Sequence, residues 1–304
     1  MMILPLISGA VITTATPRAG TFFGSFTNAL FTGALPILAV FYVCMGSRIS
    51  LRTLPYVLRK GGILLGVKVA LGFITAAVLG RVIGVDPIQS GWLAGLSTLA
   101  VVAAINDTNG GLYMALMEQY GKPEDAAAYS VMALESGPFL TMVSLGIAGL
   151  SSFPWQTMVG SILPLAVGMI LGNIDPELRE FLSRGASLLI PFFSFALGTT
   201  LDLHRVWNAG LLGVFLGLFV VGVCAVCLVS MDVLIGGNGT AGMAASTTAG
   251  NAAAVPMLVA TANHSYLAAA GSATVLVAAS VIVSSLVVPP LTSWWVVRTS
   301  QKTC

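Results

Sequence analysis

Ten stretches of this chain are apolar over lengths that match, or come close to, the thickness of a membrane. A helix needs about 20 predominantly apolar residues to cross the hydrocarbon core. Such stretches run near residues 1–15, 27–46, 61–80, 89–117, 124–149, 154–173, 186–202, 209–230, 240–262 and 267–297. The first is short, and the fourth, fifth and tenth are long enough to tilt or to be interrupted. In lipid every backbone polar group must be satisfied inside the protein, which leaves helices or closed barrels. Runs of this length select helices. Only 8% of the residues are charged and 57% are hydrophobic, and the mean hydropathy is +0.96. A soluble domain carries about 25% charged residues, so this chain cannot cover a water-facing surface. The expected fold is an all-α integral membrane protein of ten transmembrane helices, with membrane lipid as its surroundings.

Basic residues set the orientation of spans. With the N-terminus cytoplasmic, the inside loops hold Arg48, Arg52, Arg59, Lys60, Lys122, Arg179, Arg184, Arg298 and Lys302, and the outside loops hold Arg18, Arg81 and Arg205. Nine against three puts both termini in the cytoplasm, which requires an even number of spans. Met1–Ile12 lacks a basic segment and a cleavage site, so it reads as a span rather than a signal peptide.

The chain also echoes itself. "ILPLISGAVI" (Ile3–Ile12) returns as "ILPLAVGMIL" (Ile162–Leu171), and "MGSRISL" (Met45–Leu51) as "LGTTLDL" (Leu197–Leu203). "AGLST" (Ala94–Thr98) returns as "AGMAAST" (Ala241–Thr247), and "AAYSV" (Ala127–Val131) as "AAGSA" (Ala269–Ala273). The echoes keep their order and divide the chain into residues 1–150 and 151–304, five spans each. Five is odd, so the second half enters the membrane from the opposite side: an inverted repeat, as in many secondary transporters. The polar linker "DPELREFLSRG" (Asp175–Gly185) reads as a cytoplasmic connector.

Inside the fourth span lies "AAINDTNGGLYMAL" (Ala103–Leu116). Four polar residues and two glycines interrupt an apolar run, and such a break survives only where protein or a watered cavity surrounds it. Gly110 and Gly111 are expected to end one half-helix, and Asn106, Asp107, Thr108 and Asn109 to cap the other. The matching ninth span, Ala241–Ala260, contains Gly250, Asn251 and Pro256, and Pro256 removes a backbone donor. Paired interrupted helices are the best sequence pointer to a binding site at the membrane midplane. Their half-helix N-termini favour an anionic substrate. The residues expected to bind it are Asn106, Thr108, Asn109, Gly110, Thr98, Ser136, Ser246, Thr247, Thr248 and Asn251.

Asp107 and Glu135 are the intramembrane acids. An Asp at a span centre costs about 2.5–3.5 kcal/mol on the insertion scale, and intramembrane acids usually mark ion or proton pathways. A carboxyl withdrawn from water holds a proton more readily, so both are candidates for proton coupling. The structural alternatives are a half-helix cap for Asp107, and for Glu135 a partner of Lys68 or of a broken helix. Lys68 reads as an ion-pair member or a snorkelling side chain, with a substrate counter-charge as the alternative, and Arg48 as a positive-inside anchor.

Other signals carry no chemistry. "GNGTAG" (Gly237–Gly242) has dinucleotide-loop spacing, but no acid follows as such a site requires. Cys224 and Cys227 form C-x-x-C inside an apolar helix without further ligands. His204 and His264 stand apart from other ligands. No metal, cofactor or nucleic-acid site is expected.

These segments together resemble the bacterial 2-keto-3-deoxygluconate permease family. The resemblance runs through "GSFTNAL" (Gly24–Leu30), "LPILAVFYVCMG" (Leu35–Gly46), "AGLSTLAVVAA" (Ala94–Ala104), "TNGGLY" (Thr108–Tyr113), "LESGP" (Leu134–Pro138), "LGNIDPELREF" (Leu171–Phe181), "IPFFSFALG" (Ile190–Gly198) and "GNGTAGMAAS" (Gly237–Ser246). It implies proton-coupled uptake of the sugar-acid anion 2-keto-3-deoxygluconate across the bacterial inner membrane. It also implies the fold of bile acid/sodium symporters and NhaA-like transporters, in which the discontinuous helices 4 and 9 cross. A core of spans 3–5 and 8–10 would then move against a panel of spans 1–2 and 6–7. Three rivals stay open: a sodium-coupled symporter of another small organic anion, an intramembrane hydrolase using Asp107 and Glu135, and a passive channel.

Overall fold

The computed structural model describes residues 3–50, 55–199 and 210–300. Arg52, His204, Arg205 and Lys302 lie outside the described residues, as do the ends of the echoes at Leu51 and at 200–203. Among the described residues every regular element is helical and none is a strand.

The first part of the chain forms α1 (Ile3–Ala15), α2 (Ala19–Phe22), α3 (Ser25–Thr32), α4 (Ala34–Ser47) and α5 (Pro55–Val82). After a non-helical stretch come α6 (Thr98–Ile105), α7 (Gly110–Tyr120), α8 (Pro123–Ala127), α9 (Tyr129–Met132), a 3-10 turn at Ala133–Glu135 and α10 (Phe139–Ile147). Then follow α11 (Trp155–Ile174), α12 (Pro176–Gly198), α13 (Gly210–Leu234), α14 (Thr240–Ala244), a 3-10 turn at Gly250–Ala254, α15 (Val255–Ala262) and α16 (Leu267–Ser300).

Among the described residues five helices, α5, α11, α12, α13 and α16, are long and apolar enough to cross a membrane. Two bent pairs raise that to seven: α3 with α4, bent by 59°, and Glu124–Glu135 with Phe139–Ile147, bent by 60°. Along α11, Val159, Leu163, Val167, Ile170 and Ile174 are exposed. An apolar face of that extent has no place in water, and the chain is a multi-pass membrane protein.

Several boundaries differ from the sequence expectation. The fourth span is helical only from Thr98, because Gly84, Gly91 and Gly95 adopt positive φ in the stretch before it. Asp175–Gly185 is helical rather than a loop: Asp175 accepts the Glu177 amide at 2.8 Å and caps α12, whose first turns the segment forms. Lys60 is no loop anchor. It lies in α5, 3% exposed, at 2.6 Å from Asp125 and 3.2 Å from Asp232. Carboxylates on two separate helices hold it inside the protein.

The helices pack in two groups. α4 lies against α11 and α12, and α12 against α1. In the other group α16 packs on α13, α6, α14 and α15, and α5 packs on α6, α10 and α13. Small residues let the first group close tightly. A Cβ on Gly9 would run into the Phe195 carbonyl oxygen, and one on Gly198 into that of Leu6. A Cβ on Gly168 would run into the Val43 carbonyl oxygen, and one on Gly46 into that of Leu165.

Candidate functional site

The two breaks meet inside the second group. α6 ends at Ile105, Asn106 is its C-cap, and α7 starts at Gly110 with Asn109 as N-cap. The Asn109 side chain accepts the Leu112 amide at 3.1 Å. Gly110 and Gly111 therefore open the second half-helix instead of closing the first. A Cβ on Gly110 would overlap the Tyr129 ring. In the second break α14 stops at Ala244, and Pro256 sits in the first turn of α15, where its missing N–H costs no helical bond. The interruption thus falls before Pro256, at 245–249. The Ala249 amide donates to the Asp107 carbonyl at 2.9 Å and joins the breaks directly.

Side chains reinforce that junction. The Thr108 amide donates to Glu135 Oε1 at 2.6 Å, and the Asn109 amide to Thr247 Oγ1 at 3.0 Å. Asn251 Nδ2 donates to Asp107 Oδ2. Thr108 Oγ1 reaches the Ala245 carbonyl at 3.4 Å. Asn106 Nδ2 turns to α10, toward Thr141 at 3.3 Å and Ser144 at 3.4 Å. Lys68 is fully buried, and its Nζ donates to the Ile105 carbonyl at 2.8 Å and the Thr247 carbonyl at 3.0 Å. It neither snorkels nor forms an ion pair among the described residues; it ties one carbonyl of each broken segment to α5. Glu135 is a partner of the broken helix. Asp107 Oδ1 and Glu135 Oε2 are buried and accept no hydrogen bond from the described residues.

The expected site residues do not all converge. Asp107, Thr108, Asn109, Gly110, Glu135, Thr247 and Asn251 do, Asn106 turns its side chain away to α10, and Ser136 is buried beside Glu135. Thr98 is at the far end of α6, donating to the Gly84 carbonyl at 2.9 Å. Ser246 bonds back to the Gly242 carbonyl at 2.8 Å. Thr248 faces the Ala104 carbonyl and Ser280 Oγ, each at 2.9 Å, while its amide meets Ser284 Oγ at 3.1 Å.

Two cavities flank this junction along α4. One, of about 300 Å³, is apolar and reaches from Leu35 to Tyr42 on α4 and from Thr157 to Pro164 on α11. The other, of about 130 Å³, lies toward the C-terminal end of α4 and touches Met45, Arg48, Asn109, Gly110, Tyr129 and Asn251. Leu35 and Arg48 are about 20 Å apart at the helical rise, so the cavities lie toward opposite ends of α4. Sequence reasoning missed Tyr42, Tyr129 and Arg48 here. Tyr42 and Tyr129 look like ordinary span residues and Arg48 like an anchor at a span end, and only α7, α12 and the breaks, brought in from far along the chain, place them together.

Comparison with known proteins gives one consistent result. The profile of the KdgT family, 2-keto-3-deoxygluconate permease, matches residues 1–301. Proteins named 2-keto-3-deoxygluconate permease from Escherichia coli O7:K1 (strain IAI39), O139:H28 (strain E24377A) and K12 (strain DH10B) are each 52% identical over 261 residues, covering 86% of this chain and 80% of theirs.

Proposed function

The chain belongs to the 2-keto-3-deoxygluconate permease family, and from that premise we propose that it carries 2-keto-3-deoxygluconate with a proton across a bacterial inner membrane by alternating access. A permease moves its substrate, so the chain is a transporter and not an enzyme, which removes the hydrolase reading of Asp107 and Glu135.

The observation that carries the coupling is the pair of buried carboxyls at the joined breaks with one buried ammonium, Lys68, behind them. One ammonium offsets one carboxylate. In a site shielded from water a second uncompensated charge is expensive, and a proton removes it. Co-transport of one proton with a monoanion is electroneutral, so uptake follows the pH gradient more than the voltage.

Alternating access is supported by the two cavities at opposite ends of α4 and by the two helix groups. In this reading the broken spans cross in a core of spans 3–5 and 8–10, and the group holding α1, α4, α11 and α12 is the panel of spans 1–2 and 6–7. The ten-span inverted repeat, residues 1–150 against 151–304, is supported by the glycine contacts. Gly9 corresponds in the echo to Gly168 and Leu6 to Leu165; Gly46 corresponds to Gly198 and Val43 to Phe195. The contact of Gly9 with Phe195 is therefore repeated by Gly168 with Val43, and that of Gly198 with Leu6 by Gly46 with Leu165. Both termini are assigned to the cytoplasm from the basic residues, and with Lys60 set aside the bias keeps its direction.

The test is uptake of labelled 2-keto-3-deoxygluconate into proteoliposomes. An inward proton gradient should drive accumulation without sodium, with little response to a potassium-diffusion potential. Accumulation that needs sodium and ignores the proton gradient overturns proton coupling.

A further inference from the structure

The smaller cavity has a charge that its surroundings do not explain. Arg48 is the one charged residue lining it, and no charged residue lines the larger cavity among the described residues. Arg48 is the C-cap of α4, where any cation is favourable beside the negative helix end. A mere anchor needs nothing more. Here Nη2 donates to the Ser183 carbonyl on α12 at 2.5 Å, which holds the guanidinium between α4 and α12 beside the cavity.

The facing wall is the start of α7. The first amides of a helix have no acceptor within it. Asn109 takes the Leu112 amide, so Gly110 and Gly111 stand ahead of the helix's own bonding. A Cβ on Gly111 would meet nothing closer than Asn109 Oδ1 at 3.8 Å, so this wall is open to the cavity. Among the described residues no carboxylate lines the cavity. A cation on one wall, polar donors on the other and neutral Asn109 and Asn251 between them form a receptor for a small anion. An arginine presents five donors in a planar fork that fits a carboxylate, and one donor is already engaged.

We propose that Arg48 binds the carboxylate of the transported sugar acid in this cavity, with the opening turn of α7 on its other side. This rests on the reading of the chain as a sugar-acid carrier. It gives Arg48 the role of selecting acids over neutral sugars. It also makes the substrate a bridge between the α4–α12 group and the group that holds the breaks.

Equilibrium binding to the purified full-length protein tests this. Labelled 2-keto-3-deoxygluconate is measured alone and against unlabelled gluconate, galacturonate, pyruvate and the neutral amide of 2-keto-3-deoxygluconate. Arg48→Gln should weaken acid binding by roughly 10- to 100-fold, the loss of one charge-assisted contact, and should abolish the preference for acid over amide. Arg48→Lys should recover part of both. Gly111→Ala should weaken binding by filling the cavity, without loss of thermal stability. Acid affinity in Arg48→Gln equal to that of the unmodified protein overturns the proposal, and so does equal loss for acid and amide. If the unmodified protein binds another of these acids instead, the substrate assignment fails and the Arg48 dependence is read on that acid. If it binds none of them, both fail.

Discussion

The two breaks occupy matching places in the halves of the chain and are built from different chemistry. The first, at Asn106–Asn109, contains a carboxylate, and its backbone amides are taken by the side chains of Glu135 and Thr247. The second, at 245–249, has no charge. Two of its three hydroxyls donate to carbonyls, Ser246 to Gly242 and Thr248 to Ala104. The first break offers buried acceptors with capacity left over; the second is largely satisfied by itself and its neighbours. Matching positions in the chain therefore do not bring matching chemistry. One break holds Asp107 and is bonded by Glu135 from outside it; Thr247 of the other break takes the Asn109 amide, and Asn251, just beyond that break, donates to Asp107.

The sharpest way to break this contrast is to remove its charge. Asp107→Asn keeps the shape and a partner for Asn251, yet it cannot exchange a proton. Proton-driven accumulation should fall to background, while exchange of labelled for unlabelled substrate at equal concentrations persists. Retained accumulation would make Asp107 a helix cap and the two breaks chemically alike.

Next in size is Lys68, which both breaks share. Lys68→Met keeps the buried stem and removes the ammonium from the carbonyls of Ile105 and Thr247. Each carbonyl left without its donor costs about 1–3 kcal/mol. A marked drop in melting temperature in detergent is expected, and Lys68→Arg should not restore it, because the larger group has no room at full burial. A variant that melts like the original protein would show that the breaks hold together without this tie.

How much of this could be read beforehand depends on distance along the chain. The first break was legible because polar residues and glycines stand next to one another in an apolar run, and a local pattern is a local signal. The acids were legible for the same reason, since each is isolated in lipid-like sequence. The length of the fifth span allowed an interruption, but the place of the bend between Glu135 and Phe139 was not legible, nor was the helical Asp175–Gly185, because each depends on capping and packing rather than hydropathy. The roles of Lys68 and Arg48 were also hidden. Lys68 meets Ile105 and Thr247, and Arg48 meets Ser183, all brought in from distant segments. The Lys60–Asp125–Asp232 cluster joins three helices in the same way. Thr98, Ser246 and Thr248 differ from the residues at the junction in that their hydroxyls are already bonded to nearby backbone carbonyls, which no local pattern signals.

Thr247 and Thr248 are neighbours that divide along this line. Thr247→Val removes the acceptor that receives the Asn109 amide at the mouth of α7. A neutral hydrogen bond contributes about 0.5–1.5 kcal/mol net, and its loss loosens the wall facing the smaller cavity. A few-fold rise in KM with a small change in melting temperature is expected. An unchanged KM would place Thr247 with the second break's structural hydroxyls.

The smallest effect should come from Thr248→Val. Its hydroxyl lies between the Ala104 carbonyl and Ser280, and its amide is held by Ser284. None of these partners lines either cavity. Valine has nearly the same shape, so the packing stays filled and only the hydroxyl's bonds are lost. Stability should fall by about 1 kcal/mol, seen as a modest shift in melting temperature, with KM and the response to the proton gradient unchanged. A change in KM without a change in melting temperature would move Thr248 into the site. The second break would then be a second binding surface, and the division of labour between the two breaks would be wrong at the position where it is most finely drawn.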